Sequence, residues 1–264
     1  MKLNNVLVVY SRPTSKEQEL TLSTVKAALK KHKIKLVISG RDSLKSKLFK
    51  NIDLAIAIGG DGTFLRASHF IFGKMPLFGV NSDPKFKEGF FMAASRKDFE
   101  EKLNRILNGD YKIRELSRLE ACIAGKKVHE LALNEFYISS EKEYRTARYY
   151  ISINGRKERQ KSSGVIISTA AGSNAWMKSA GGRILPIDSS KFEYLVREPY
   201  CGKISAKCIL VNGILDKSDK VEIEFEFGNG ILIADSLSSE HKFRAGQNII
   251  VKASEKPLHS VLFD

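Results

Sequence analysis

One segment constrains this chain more than any other. An unbroken apolar run at residues 54–58 passes directly into Gly59-Gly60-Asp61-Gly62-Thr63. A strand apolar on both faces belongs in the middle of a parallel sheet, and open α/β sheets bind ligands beyond the carboxyl ends of such strands. The neighbouring sequence supplies the alternation such a sheet needs. Residues 6–10 read as a strand, and Ser15 with Gln18 reads as a capping box opening a helix with Leu22, Val25 and Leu29 on one face. Further strands are predicted at 34–38 and 77–80, with a helix at 64–72. The pattern is that of a doubly wound, Rossmann-like α/β domain.

Beyond about residue 111 the texture changes. Short apolar runs at 131–138, 149–153, 165–168, 208–211, 221–227, 231–233 and 249–251 alternate with turn signals such as Asn154-Gly155, which predicts a β-sandwich. Residues 99–107 read as a helix connecting the two parts. The expected fold class is therefore α/β plus β.

The glycine loop carries the chemistry. Its glycines let backbone N–H groups approach a phosphate, the following helix offers its positive N-terminus, and Thr63 adds a hydroxyl. A carboxylate repels phosphate, so Asp61 inside such a loop points to a base or metal-orienting role. The plain alternative is a tight strand-to-helix turn with Asp61 as N-cap. No GxxxxGK[ST] and no GxGxxG after a strand occurs, so neither a P-loop nor a dinucleotide fingerprint is present.

Composition bounds the partners. With 264 residues and 42% hydrophobic content the chain can bury a large core and is not a disordered polyelectrolyte. A net charge of +14, from 44 basic against 30 acidic residues, gives the sign of the ligand but not its identity. The basic run RKERQK, residues 156–161, reads as a solvated strand edge, although Lys161 leads directly into Ser162-Ser163-Gly164. Cys122, Cys201 and Cys208 are odd in number and lack CxxC spacing, so no disulfide or structural zinc is expected and a reducing compartment is. No run of eighteen apolar residues exists and the first ten residues make a poor signal peptide, so a cytoplasmic protein without a membrane partner is expected. The five histidines are scattered and suggest no metal site.

Seven motifs extend the reading: GGDGT at 59–63, GVNSD at 79–83, GFF at 89–91, LNE at 133–135, SSGVIIST at 162–169, GSNAW at 172–176 and SAGG at 179–182. In this order and spacing the chain resembles the NAD kinase family over most of its length. DPKFKEG and KSSG…GSNAW are closer to the divergent mitochondrial-type branch. Ser163 stands where the common family motif has an Asp, Ala170 and Ala171 where it has Pro and Thr, and Trp176 where it has Tyr.

The resemblance implies transfer of the γ-phosphoryl of ATP to the adenosine ribose 2′-hydroxyl of NAD or NADH, with polyphosphate as the alternative donor. Asp61 would be the catalytic base, while Gly59, Gly60, Gly62 and Thr63 would hold the donor phosphates. Asn134 and Glu135 would take ribose hydroxyls, Phe90 would stack on adenine, and Asn174 and Ala175 would reach its edge. Ser163 and Trp176 would lie beside the dinucleotide. Mg²⁺ or another divalent cation is implied without a legible ligand set, as is a homodimer or homotetramer. Asp235 matches a family aspartate, but Ser236 replaces the glycine that should follow, and no role is assigned to it. The implied domains are 1–98 plus 252–264, and 99–251, with the site between them. Two other classes share part of the pattern: a lipid kinase with the GGDGT loop, and a noncatalytic nucleotide-binding homologue. Nucleic-acid binding is not expected, since no stripe of interleaved aromatic and basic residues is present.

Overall fold

The structure, a computed structural model, describes residues 3–142, 144–202, 208–237 and 240–264. These form two compact units, Met1–Glu115 with Leu258–Asp264, and Leu116–Pro257.

The first unit is built on a sheet whose strands are β1 (Asn5–Tyr10), β2 (Lys35–Gly40), β3 (Leu54–Gly59) and β4 (Leu77–Asn81), in the order β2-β1-β3-β4. The strands Leu258–Leu262 and Lys112–Leu116 follow β4 in that order. β1 pairs in parallel with both β2 and β3, and β3 pairs in parallel with β4. Every residue of β3 is buried, as its unbroken apolar run demands. The chain leaves β1 toward β2 on one side and returns to β3 on the other. The carboxyl ends of β1 and β3 therefore flank a topological switch point.

Helix α1 (Lys16–Lys31) is capped by Ser15, whose side chain accepts the Gln18 N–H, while Gln18 reaches back to the Thr14 N–H. It buries Thr21, Val25, Ala28 and Leu29. Helix α2 spans Asp61–Ser68. It begins and ends earlier than the expected 64–72, because the glycine turn is tight enough for Asp61 to be the first helical residue. Helix α3 (Phe99–Asn108) is not the connector that its position in the sequence implied. Phe99, Leu103 and Ile106 pack into the same apolar cluster as Val6, Val25 and Ile56, within the first unit.

The second unit holds two six-stranded antiparallel sheets among the described residues. Tyr149, Ile151, Val221 and Ile223 of one sheet share a core with Phe136, Ile138, Val165, Ile167 and Leu232 of the other. This is a β-sandwich. Asn154 and Gly155 both have positive φ, as a two-residue hairpin turn requires.

Three expectations are corrected here. The strand foreseen at 131–138 is confined to Glu135–Ser140, for a reason given below. Residues 208–211 form no strand; the strand in that region is Asn212–Leu215. Cys201 and Cys208 are joined as a disulfide and only Cys122 is free. They lie seven residues apart in sequence, and their Cα atoms are 5.8 Å apart, within disulfide range. That pairing removes the cysteine argument for a reducing compartment. No described helix is long and apolar enough to cross a membrane.

Candidate functional site

The glycine loop closes the end of β3 by close approach. A Cβ on Gly59 would run into the side chain of Thr63, with Thr63 Cβ 2.8 Å away. Thr63 is accordingly buried, and its hydroxyl faces back toward Gly59 rather than standing open at the surface. Gly60 occupies the N-cap of α2 and no side chain caps the helix. Asp61 therefore does not play the capping part that would have made the loop a mere turn. Its Oδ1 instead accepts the backbone N–H of Phe91 at 2.9 Å, across thirty residues. One carboxylate oxygen is fixed by this bond, and Oδ2 is left for another partner.

The loop opens onto a cleft of about 500 Å³ at the switch point, lined by Ser11, Arg12, Thr14, Gln18, Arg41, Gly60 to Thr63, Lys87 and Glu88. Sequence reasoning missed its cations, Arg12, Arg41 and Lys87, because none lies in the glycine motif. The GVNSD motif explains how Lys87 gets there. Asn81 donates from Nδ2 to the Lys87 carbonyl at 3.0 Å and accepts the Asp83 N–H at 3.0 Å, folding residues 81–87 into a tight return. Lys87 then lies over Gly60, where a Cβ would meet its Cδ at 3.2 Å, and its Nζ donates to Ser82 Oγ at 2.8 Å. Burial lowers the Lys87 pKa, the charge of Asp83 opposes this and that of Arg41 adds to it. An added anion would reverse that strain. Phe90 and Phe91 divide the two parts open to adjacent aromatics. Phe91 is buried and stacks on Phe64 at 5.0 Å, while Phe90 is 44% exposed.

In the second unit Asn134 and Glu135 sit where a strand begins. The carboxylate of Asp235 accepts three successive N–H groups: Leu133 at 2.9 Å, Asn134 at 2.6 Å and Glu135 at 3.1 Å. Those donors are withdrawn from any ladder, which is why the strand starts only at Glu135. Asp235 and Ser236 both have left-handed backbones, with φ of 53° and 55°. Two such residues cost about 2 to 4 kcal/mol together, and three bonds to a carboxylate, at about 1.5 to 3 kcal/mol each, outweigh that. The turn Gly172–Asn174 is held against this corner. The Gly172 N–H donates to Thr169 Oγ1, and Thr169 bonds through its N–H to the Asn134 carbonyl and through its hydroxyl to the Leu133 carbonyl. A Cβ on Gly172 would collide with the Asn134 backbone, so glycine alone permits the approach. Asn174 and Ala175 are thereby gathered with Asn134 and Glu135, all partly or fully buried.

Two polar atoms in this corner, Asn134 Oδ1 and Glu135 Oε2, are buried without a hydrogen-bond partner. The Glu135 carboxyl is pushed up to about 8, first by burial and then by the charge of Asp235, with the Ser236 hydroxyl opposing. Arg118 is buried nearby, and burial brings its guanidinium down to about 10 against the pull of Asp235.

Ser163 and Trp176 meet through a residue sequence reasoning did not single out. The Tyr137 hydroxyl donates to the Ser163 carbonyl at 2.7 Å, and its ring lies 4.8 Å from that of Trp176. The Arg197 guanidinium sits over both rings, 5.7 Å from Tyr137 and 5.3 Å from Trp176. Lys161 lies over the Tyr200 ring at 5.8 Å. Elsewhere on the basic edge, Lys157 and Arg159 pair with Glu224 and Glu226, as a solvated strand edge should.

Among the described residues no group of three His, Cys, Asp or Glu could hold a metal ion. The glycine loop offers one carboxylate, Asp61, which fits a Mg²⁺ carried mainly by a ligand's phosphates and not by a protein cage.

Comparison with known proteins adds to this geometry. The family model of the ATP-NAD kinase N-terminal domain matches residues 2–111, and that of the ATP-NAD kinase C-terminal domain matches residues 133–263. A probable NADH kinase of Oryza sativa is 29% identical, over 92% of this chain and 80% of its own. An NAD kinase of Prosthecochloris aestuarii is 32% identical over 81% and 73%. Two solved structures share the fold. The NAD kinase of Archaeoglobus fulgidus in complex with ATP has a TM-score of 0.78 at 23% identity, over 98% of this chain and 93% of that one. Yeast NADH kinase complexed with NADH has a TM-score of 0.84 at 16% identity, over 99% and 84%.

Proposed function

The chain belongs to the NAD kinase family, and from that premise we propose how its residues phosphorylate a dinucleotide. The reaction moves the γ-phosphoryl of ATP to the adenosine ribose 2′-hydroxyl of NAD or NADH. A lipid-kinase reading accounts for the glycine loop alone, whereas the family match extends over both units.

The observation that carries the assignment of roles is the bond from the Phe91 N–H to Asp61 Oδ1. It fixes a carboxylate at the mouth of a cationic cleft and leaves Oδ2 to accept the 2′-hydroxyl proton as the hydroxyl attacks phosphorus. The donor phosphates lie against the Gly60 to Gly62 backbone, with Arg12, Arg41 and Lys87 balancing their charge. Thr63 supports the turn from within. Asp61 is the loop carboxylate that would help hold a Mg²⁺ together with the donor phosphates, and the ion would supply charge neutralisation at the transferring phosphoryl. Phe90 stacks on adenine, and Asn174 with Ala175 reads its edge. Asn134 Oδ1 and Glu135 Oε2, two buried polar atoms lacking partners, suit a ribose diol.

At the nicotinamide end, Ser163 supplies no carboxylate and Arg197 brings a positive charge close to Tyr137 and Trp176. Such a site does not favour the cationic ring of NAD over the neutral ring of NADH, so NADH is accepted at least as well. We further propose a homo-oligomer, checked by light scattering at micromolar concentration. A clean monomer there would contradict it.

The kinase reaction is tested by a coupled assay for NADP(H), with NAD or NADH as acceptor and ATP or polyphosphate as donor. Asp61→Asn should lose two to four orders of magnitude in kcat, about the worth of a positioned base, while its unfolding curve is unchanged. Full activity in Asp61→Asn would remove Asp61 from the chemistry. No product with any pair from folded wild-type protein would end the kinase reading.

A further inference from the structure

The corner formed by Asp235 and Ser236 has no part in the proposed chemistry, yet the structure invests heavily in it. Both residues are left-handed. Asp235 is buried, and besides accepting three N–H groups it donates its own N–H to the Glu135 carbonyl at 2.9 Å. The Ser236 hydroxyl donates to Glu135 Oε1 at 3.2 Å. Four bonds from one residue and a fifth from the next all end on the same three-residue segment. Within that segment, Asn134 Oδ1 and Glu135 Oε2 are buried polar atoms with no hydrogen-bond partner. A fold that only needed a turn here would place glycine at position 236, where φ is 55°. Serine accepts backbone strain and gains one thing for it, a hydroxyl on Glu135.

We propose that Asp235 and Ser236 are positioning residues for the acceptor's ribose. Asp235 curls the Leu133–Glu135 backbone so that Asn134 Oδ1 and Glu135 Oε2 face the same vicinal diol. Ser236 occupies Glu135 Oε1, and so determines which carboxyl oxygen remains for the sugar. The ligand class is a nucleoside that carries both ribose hydroxyls. Asn134 Oδ1 accepts from the 3′-hydroxyl, while the protonated Glu135 carboxyl donates from Oε2 to the 2′ oxygen and leaves that hydroxyl's own proton to Asp61. A 2′-deoxynucleoside lacks one of the two partners. This inference rests on the reading of Asn134 and Glu135 as ribose ligands.

Ser236→Gly separates positioning from structure, because the two roles predict opposite signs. Relief of the left-handed strain should raise the melting temperature, while loss of the hydroxyl should weaken the acceptor. The expected result is a higher melting temperature with KM for NADH raised about three- to tenfold, the effect of one lost hydrogen bond. KM for ATP should not move. Calorimetric titration of the full chain with adenosine and with 2′-deoxyadenosine gives a readout independent of turnover. Wild type should prefer adenosine, and Ser236→Gly should narrow that preference by a similar factor. Asp235→Asn, which presents an amide to three N–H donors, should raise KM for NADH further, and Ser236→Thr should restore the wild-type value. The proposal is overturned if Ser236→Gly leaves KM for NADH and the adenosine preference unchanged, or shifts ATP and NADH equally. Glu135→Ala distinguishes the underlying reading. If that variant is folded and keeps the wild-type KM for NADH, the ribose assignment itself fails, whereas a raised KM beside an unchanged Ser236→Gly condemns the positioning role alone.

Discussion

Phe90 and Phe91 show how far one position can separate two identical side chains. Phe91 is 6% exposed and stacks on Phe64, while Phe90, turned to the surface by the same backbone, is 44% exposed. Phe91→Ala should cost about 3 to 5 kcal/mol of stability through the cavity it leaves. Phe90→Ala should leave urea unfolding unchanged and raise KM for NADH about five- to 160-fold, the range of ~1 to 3 kcal/mol for a lost base–aromatic stack. Unfolding curves and initial rates on the two variants check both halves, and a destabilised Phe90→Ala with normal KM would contradict the assignment. The GFF motif marked the pair, but only its register against Asp61 could say which phenylalanine faces out.

The strand–turn–helix from β3 into α2 was readable because everything in it is local: an apolar run, glycines, and a helix within ten residues. Its packing still sets a limit that composition does not reveal. Gly59→Ala would drive a methyl group into Thr63, and overpacking of this kind costs about 1 to 3 kcal/mol. The displaced turn should also lower kcat. Urea denaturation with a parallel rate measurement tests the coupling, which predicts that no Gly59→Ala preparation is both fully stable and fully active. The acceptor corner was legible only in part. Asn134 and Glu135 stood out through the family pattern, but what holds them lies about a hundred residues later at Asp235. Residues 131–134 look like strand because Leu131 and Leu133 are apolar, and nothing nearby shows that a distant carboxylate takes their donors. The cations Arg12, Arg41 and Lys87 reach the glycine loop from three separate segments, so their convergence is a product of the fold and not of any motif.

At the scale of the whole molecule, the buried Glu135 carboxyl links stability to pH. Its folded value of about 8 lies above an ordinary value near 4.5, so between these the folded chain holds a proton that the unfolded chain has released. Folding then binds protons, and stability falls as pH rises from about 4.5 to about 8, levelling above that. Urea midpoints measured across that window should decline for wild type and flatten for Glu135→Gln; parallel curves would remove Glu135 as the source. Topology carries a different consequence. The strand Leu258–Leu262 lies between β4 and Lys112–Leu116 in the first sheet, although the whole of Leu116–Pro257 precedes it in the chain. Translation proceeds at roughly 5 to 20 residues per second, so β1 to β4 leave the ribosome many seconds before their missing neighbour does. Ala94–Ser95 pairs early with Val80 and Asn81, but throughout that interval the Leu77 end of the β4 edge lacks its partner Ser260 and has unpaired N–H and C=O groups, the template on which other chains aggregate. The glycine loop is thus made early, on a sheet that stays unfinished until the sandwich has been synthesised.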